Sequence, residues 1–363
     1  MMRELCALLE GGACPPDRRL ADLVALARAH RVHLLLARRL ARDAPEDLRH
    51  EVRVEAVRDT LRVRELVRVV SALEAHGCAP VVFKGAALAL THYPDSWLRP
   101  RLDADVLVDP ACRAPAAAAL AALGYERPAM TSGRYVMHQE MHVRADAVVG
   151  EHVVDLHWKL ANPNLLAALP THGELRARAV TVTVDGATQS GSQDRQPRTV
   201  LVASAADALV VACVHRAAHH AGSKELLWLY DIHLVASRLT AEEWTRGVDV
   251  ARRAGVARLV RDGLDRAAVV FGACAPPAML DALAAAGREA SAVFLRGDLR
   301  PLDRIRADLA VLGPVAGSRL IAEHLFPPAS YMRQKYGLHS RALLPVAYVR
   351  RIVGGAAGWW KRG

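Results

Sequence analysis

The sequence lacks three patterns that define large classes of proteins: a long apolar run, paired cysteines and the unbroken apolar core of a signal peptide. No stretch of about eighteen residues is apolar and uncharged enough to span a bilayer. The six cysteines are scattered without a Cys-x-x-Cys pair, so zinc-ribbon and redox motifs have no support. Glu4 interrupts the N-terminal stretch where a signal peptide needs an unbroken apolar core. We therefore expect a cytoplasmic globular protein with reduced thiols and no transmembrane segment.

Lysine is also scarce. Only five of the 48 basic residues are lysine, and the others are arginines spread along alanine-rich segments. The formal net charge of +10 would attract ligands that carry polyphosphate. Because arginines spread in this way are typical of solvated helix faces, the charge does not by itself favour nucleic acid as a partner. The apolar fraction of 52% indicates a folded protein rather than a disordered one.

Apolar periodicity divides the chain into three parts. Helix-like spacing predicts an N-terminal helical region over residues 1–76. Short apolar runs then predict the strands of an α/β core over residues 77–203, with 189–197 as a hairpin tip. Helical spacing returns at Ser204, an expected N-cap, and predicts a C-terminal helical domain over residues 204–363. The predicted fold class is therefore α+β, with a mixed β-sheet core between two helical regions.

Two carboxylates open one of the predicted strands, which covers residues 102–108. Asp103 and Asp105 are two residues apart, so on a strand they point to the same face. We expect Leu102, Val106 and Val108 to face inward or pack alongside. Adjacent carboxylates repel each other unless a cation lies between them, and Mg²⁺ prefers oxygen ligands. The pair therefore predicts a divalent-metal site. The alternative is a strand that faces solvent.

A third carboxylate stands on a later predicted strand. Asp155 lies in the apolar run Val153-Val154-Asp155-Leu156 and could complete a metal site from a neighbouring strand. Glu151 is a rival, because it would share the face of Asp155.

Several short motifs follow one another in a recognisable order. They are Val82-Phe83-Lys84-Gly85-Ala86-Ala87, Leu98-Arg99-Pro100, Asp103-Ala104-Asp105-Val106-Leu107-Val108, Asp155-Leu156-His157-Trp158, Cys213-Val214-His215 with His219, Trp228-Leu229-Tyr230-Asp231, and Phe326-Pro327-Pro328 with Tyr331-Met332. In this order they resemble the uncharacterised nucleotidyltransferase-like family of bacterial proteins, distant members of the DNA polymerase β-like superfamily. The resemblance implies a nucleotidyltransferase-like mixed sheet with helices. It also implies Asp103 and Asp105 as metal ligands and Asp155 as the third carboxylate.

The turn on the phosphate side departs from the pattern of that superfamily. Its standard members have Gly-Ser or Gly-Gly shortly before the acidic pair, whereas this chain has Lys84-Gly85-Ala86 and no serine. Gly85 would let phosphate oxygens approach the amides at the start of a helix, and Lys84 would supply positive charge. Arg99 is a further candidate for the triphosphate, because its planar guanidinium suits phosphate oxygens. A surface or core-edge position is the alternative for Lys84 and Arg99.

Two histidines, His215 and His219, are four residues apart and share one face of a predicted helix. With a nearby carboxylate such a pair can bind zinc, although a zinc peptidase would have Glu where Arg216 stands. A second interpretation is a polar contact between two helices, with a hydrogen bond to Asp231. The third, which the resemblance favours, is contact with the nucleotide or the acceptor.

These motifs predict a metal-dependent nucleotidyltransferase with Mg²⁺ or Mn²⁺ as its cofactor. It would transfer a nucleoside monophosphate (NMP) from a nucleoside triphosphate (NTP) such as ATP. The resemblance implies a small molecule, a modified peptide or a glycan as the acceptor, and it leaves RNA as a less favoured one. The alternative is a catalytically inactive module of the same fold that senses nucleotides or binds a partner. The missing serine favours that alternative, whereas the three carboxylates favour the enzyme.

Overall fold

The computed structural model describes residues 1–12, 20–131, 133–184, 198–220, 225–297 and 299–360, with side chains up to residue 354. The predicted hairpin tip at 189–197 lies outside these residues. The N-terminal part is helical, as its periodicity predicts. Its helices are α1 (Met2–Leu9), α2 (Leu20–Ala29), α3 (His33–Leu40) and α4 (Glu46–Ala75).

Helix α4 covers one face of the sheet. Leu66, Val69, Val70 and Leu73 recur at helical spacing and are buried in a cluster that includes strand residues such as Val106. The helix stops at the predicted break, since Gly77 has a φ of +75°, a conformation that glycine adopts without strain.

The described strands form one mixed, six-stranded sheet, which confirms the predicted fold class. The strands are β1 (Val81–Phe83), β2 (Asp103–Leu107), β3 (Gln139–Asp146), β4 (Gly150–His157), β5 (Val180–Val184) and β6 (Arg198–Val202). Their order is β3-β4-β2-β1-β6-β5. β2 pairs parallel to β4 and β1 parallel to β6, and the other neighbours are antiparallel.

The register of β2 and β4 determines where the acidic side chains meet. Asp105 lies directly opposite Asp155 in this parallel pair. Along β2 the chain passes from an exposed Asp103 to a fully buried Leu107, so the acidic end of the strand faces solvent and the apolar end lies in the core. Val106 and Val108 are buried as predicted, whereas the prediction that Leu102 faces inward or packs alongside was wrong. Leu102 is 74% exposed, because it precedes the first residue of β2 that pairs with a neighbouring strand.

Short helices connect the strands. They are α5 (Lys84–Thr91) after β1, α6 (Arg113–Ala122) after β2 and α7 (His172–Ala177) before β5. The helical region after β6 begins with α8 (Ala205–His220), α9 (Leu226–Ala236), α10 (Ala241–Arg253), α11 (Ala257–Phe271) and α12 (Pro277–Ala284). The predicted cap of α8 is present, because the Asp207 amide donates to the Ser204 hydroxyl at 3.3 Å. The division of the chain into three domains at residues 76 and 203 stays a prediction.

The last helices bury few of their described side chains. They are α13 (Pro301–Val311), α14 (Pro314–Leu325), α15 (Ala329–Tyr336) and α16 (Leu344–Trp360). Glu323 of α14 accepts hydrogen bonds from the amides of Arg134, Tyr135 and Val136, which ties this part to the loop before β3. Among the residues that the structure describes, no helix has the length and apolar character needed to cross a membrane.

One buried ion pair joins the sheet region to the C-terminal helices. Arg99, on the loop before β2, donates through Nε and Nη2 to the Asp231 carboxylate on α9, and the shortest of these bonds is 2.7 Å. Tyr93 also donates its hydroxyl to Asp231, at 2.7 Å. Both charged side chains are at most 5% exposed. Because neither charge can be solvated by water, each depends on the other.

We predict that Asp231→Ala lowers the free energy of unfolding by about 3–5 kcal/mol, because it leaves the Arg99 guanidinium buried without its counter-ion. Urea denaturation monitored by circular dichroism measures the change. The double variant Arg99→Met/Asp231→Leu should lose less than Asp231→Ala, since it buries no unpaired charge. The exposed pair of Arg246 and Glu242 provides the control, and Glu242→Ala should cost less than about 1 kcal/mol. Equal losses in Asp231→Ala and the double variant would contradict the prediction.

Candidate active site

The three predicted carboxylates line one cavity of about 360 Å³. Asp103 and Asp105 come from β2, and Asp155 comes from the adjacent strand β4. Glu151, the rival third ligand, lies four residues earlier on β4, pairs with Ala145 and does not line this cavity. The volume falls in the range of small-ligand sites.

Lys84 and His157 both contact the central carboxylate. The Lys84 ammonium donates to Asp105 Oδ1 at 2.6 Å, and His157 Nε2 lies 2.9 Å from the same oxygen. His157 is almost completely buried, and its Nδ1 lies 3.3 Å from the Lys159 carbonyl oxygen. Asp105 is therefore the one carboxylate of the three whose charge is compensated by a directly bonded lysine.

The three carboxylates consequently differ in acidity. Burial opposes ionisation of Asp105, but Lys84 and His157 outweigh it and hold its pKa well below the usual range. Burial raises the pKa of Asp155 to about 7, and the negative charges of Asp105 and Asp103 add to the effect. Although part of Asp103 is exposed, the protein around it removes water from the carboxylate, and this desolvation and the charge of Asp105 also raise its pKa. Two of the three carboxylates thus resist ionisation in the absence of a further cation.

This donor set fits a divalent cation. Ligand atoms of Asp105, Asp155 and His157 all lie within 4.8 Å of one another, and in the described part of the chain this is the one such group. Burial, and then the negative charge of the neighbouring carboxylates, raises the pKa values of Asp103 and Asp155, and a cation between them would favour their ionised forms. Carboxylate oxygens suit Mg²⁺, and an imidazole nitrogen is a ligand that transition metals accept more readily.

His157 was not predicted as a site residue. The sequence did contain a signal, because His157 follows Asp155 by two residues on the same strand and so shares its face. Gln139 was missed as well. Its Nε2 donates to Asp155 Oδ2 at 2.9 Å, and Asn162 donates to its Oε1 at 3.2 Å, so the two amides orient Asp155. No sequence signal pointed to Gln139, because its position depends on the register of β3 against β4.

Lys84 reaches the carboxylates through an uncommon backbone conformation. It is the first residue of α5, directly after β1, and its φ is +51°. A lysine in the left-handed region is strained, and such strain tends to occur at functional sites. The prediction that Lys84 lies on the phosphate side of the cavity remains open, since its ammonium bonds to Asp105.

Gly85 and Arg99 lie in direct contact. A Cβ atom added to Gly85 would lie 2.3 Å from Arg99 Nη1, so only glycine leaves room for the guanidinium at this point. Nε and Nη2 of Arg99 are bonded to Asp231, whereas Nη1 takes no part in that pair. The space above Gly85, where phosphate was expected to approach the backbone, therefore holds the third nitrogen of Arg99.

His215 and His219 line the same cavity from α8. Their ring centroids are 5.2 Å apart, and in the described residues they belong to no group of three metal-ligating side chains. Asp231 bonds to Tyr93 and Arg99 rather than to this pair, so the predicted polar contact with Asp231 is not observed. Burial and the charge of Lys84 lower the pKa of His219 to about 4 and that of His215 well below its usual value.

Comparison with known protein families assigns the chain to one of them. A family model described as "Uncharacterised nucleotidyltransferase" matches residues 16–272, a range that contains every predicted site residue. The chain belongs to this family. Membership of this family implies a general function for the chain, which is the transfer of an NMP.

Matches to individual proteins are few and distant. No curated protein matches this nucleotidyltransferase. Among solved structures, the antibiotic-resistance factor ANT(2'')-Ia is similar at 14% identity, with 57% of this chain and 97% of that chain covered and a TM-score of 0.36. A likeness at this level does not bear on substrate or mechanism.

We predict that Asp155 makes stability depend on pH. Its folded pKa of about 7 lies above the unfolded value of about 3.9, so the folded state keeps a proton that the unfolded chain releases. The free energy of unfolding of the wild type, relative to Asp155→Asn, should therefore fall as pH rises from about 4 through 7 and then level off.

Urea denaturation of both proteins without added metal, at a series of pH values, measures this difference. The side-chain amide introduced by Asp155→Asn would still accept the hydrogen bond from Gln139, so the variant removes the titration and little else. Glu151→Gln, which alters an exposed carboxylate of β4 outside the cavity, should behave as the wild type. A difference between Asp155→Asn and the wild type that does not change with pH would refute the prediction.

Proposed function

We propose that the protein transfers an NMP from an NTP to an acceptor by two-metal-ion catalysis, with Mg²⁺ or Mn²⁺ held by Asp103, Asp105 and Asp155. The observation that carries this proposal is the pairing of Asp105 with Asp155 on parallel strands, beside Asp103, at the wall of a ligand-sized cavity. When bound, the ions would neutralise the triphosphate and assist the attacking oxygen and the leaving pyrophosphate.

Positive side chains of the cavity would hold the triphosphate. Arg99 offers Nη1 beside Gly85, and its pairing with Asp231 keeps the guanidinium plane fixed. Lys84 would contribute charge from the start of α5, next to the same glycine. Charge-assisted bonds from such groups suit phosphate oxygens. This arrangement replaces the Gly-Ser turn that standard members of the superfamily use.

Asp155 would act as the general base. An acceptor hydroxyl oxygen would bond to the α-phosphorus, the bond from that phosphorus to the β-phosphate bridging oxygen would break, and pyrophosphate would leave. The hydroxyl proton would pass to the Asp155 carboxylate. Metal binding would first remove the proton that Asp155 carries near neutral pH, and the ionised carboxylate could then accept the hydroxyl proton.

The acceptor we favour is a small molecule, a modified peptide or a glycan, and nucleic acid is less favoured. A cytoplasmic location is consistent with the free thiols of the five described cysteines.

The second candidate function is a nucleotide-sensing or partner-binding module without turnover. The Lys84–Asp105 bond favours it, because the ammonium already compensates the central carboxylate.

Incubation with each α-labelled NTP, Mg²⁺ or Mn²⁺, and cell extract tests the proposal. We expect metal-dependent transfer of label to an extract component, reduced at least about 100-fold in Asp103→Asn, because an electrostatic catalytic group is lost. Glu151→Gln is the matched control and should transfer label at the wild-type rate.

The other outcomes separate the two candidates. Metal-dependent NTP binding without label transfer to any component would favour the sensor over the enzyme. Absence of NTP binding in the presence of either metal would contradict both.

A further inference from the structure

The cavity has a second wall whose side chains the proposed chemistry does not use. His215, His219 and His220 near the end of α8 and Trp228 near the start of α9 all line it. The His220 ring stacks on Trp228 with centroids 4.4 Å apart and planes 16° apart, and His215 meets Trp228 edge-on at 5.4 Å. We call these four residues the aromatic wall.

The aromatic wall carries an unused hydrogen-bond donor. Trp228 Nε1 is buried and has no hydrogen-bond partner among the described residues. A buried donor without a partner costs free energy, so a site that retains one calls for an explanation such as a missing ligand. The neutral imidazoles of His215 and His219 add donor and acceptor nitrogens. Such a wall suits a planar, uncharged ring with polar atoms on its edge.

Two arginines of the cavity lie beside Trp228. The Arg99 guanidinium carbon is 5.9 Å from the Trp228 ring centroid, and its Nη1 lies against Gly85 beside Lys84. Arg31, whose guanidinium carbon is 5.8 Å from the same centroid, also lines the cavity and has a strained φ of +57°. The cavity therefore combines carboxylates, cations and aromatic rings in its lining. A nucleotide carries groups that match all three, because its metal-bound phosphates suit the carboxylates and cations and its heteroaromatic base suits the rings.

We propose that the aromatic wall is the binding site for the nucleobase of the NTP. The proposal rests on the proposed function, because it assigns one part of the same substrate. Bases of any identity stack on aromatic and guanidinium groups, so the wall would contribute affinity with modest base preference. The Trp228 Nε1 donor would bond to an acceptor atom on the edge of the base.

Comparison of NTPs with inorganic tripolyphosphate isolates the contribution of the base. Isothermal titration calorimetry with Mg²⁺ present gives the Kd of ATP, GTP, CTP, UTP and tripolyphosphate. We expect the wild type to bind at least one NTP roughly 10- to 100-fold more tightly than tripolyphosphate, the range that stacking of one base supports. Trp228→Leu and His220→Ala should lose most of that advantage and leave the Kd of tripolyphosphate within about twofold.

Two further variants distinguish the loss of base binding from a folding defect. Trp228→Phe keeps a ring and removes Nε1, so it should retain part of the advantage even if Trp228→Leu is poorly folded. His339→Ala alters an exposed histidine outside the cavity and should bind every ligand as the wild type does. The variants that bind tripolyphosphate normally thereby show that their phosphate side is intact.

Several results would overturn the assignment. One is equal affinity of the wild type for NTPs and tripolyphosphate, and another is an NTP advantage that survives in both Trp228→Leu and His220→Ala. If the variants bind NTPs normally but raise the KM for the acceptor in label transfer, the wall belongs to the acceptor instead. In these cases label transfer by the wild type still supports the proposed function. Absence of binding by NTPs and tripolyphosphate alike would overturn both.

Discussion

The bond between Lys84 and Asp105 is the interaction on which the rest of the site depends. It compensates one carboxylate of three and leaves the other two next to a fixed negative charge. Burial favours the protonated form of each carboxylate, and the Lys84 ammonium, together with His157, keeps Asp105 ionised in spite of it. Burial and the resulting charge of Asp105 then raise the pKa values of Asp103 and Asp155, although Lys84 itself lowers them. The strained conformation of Lys84 and its position at the start of α5, directly after β1, make this placement of the ammonium possible.

A second buried ion pair connects this centre to the other half of the cavity. Arg99 leaves the loop before β2, crosses Gly85 and bonds to Asp231 on α9. The carboxylates therefore come from the sheet, whereas the histidines and Trp228 come from helices that follow it in the chain. A substrate that spans the cavity would touch both parts. The arginine that joins them is thus both a structural contact and a candidate phosphate ligand.

Much of the fold could be predicted, because strands and helices have different apolar periods. The strand predicted over residues 102–108 and the apolar run over 153–156 each overlap an observed strand, and α8 begins directly after Ser204, where helical spacing was expected to return. The pairing of Asp103 with Asp105 needed only the two-residue repeat of a strand. The proximity of Asp105 and Asp155 depends on the register of two strands that are distant in sequence. The family resemblance, rather than the local pattern, predicted Asp155 as the third carboxylate of the site.

Other features of the site were beyond prediction for physical reasons. The direction of the Lys84 side chain depends on a left-handed φ that no residue type signals. Arg99 was expected to be free for phosphate, yet its counter-ion Asp231 lies 132 residues further along the chain. Leu102 was predicted to belong to a buried strand, but the pairing of that strand with its neighbours starts one residue later. Each of these depends on tertiary neighbours rather than on local pattern.

The central claim is that the carboxylate cluster binds a divalent cation, and proton release on metal binding tests it most directly. Titration calorimetry of Mn²⁺ into the protein, in buffers with different ionisation enthalpies, counts the protons released. The account predicts that most of one proton leaves at pH 6 and almost none at pH 9, because Asp155 has a pKa of about 7. Asp155→Asn should abolish this release. Binding of Mn²⁺ at pH 6 without proton release, or with the same release in the variant, would contradict the account.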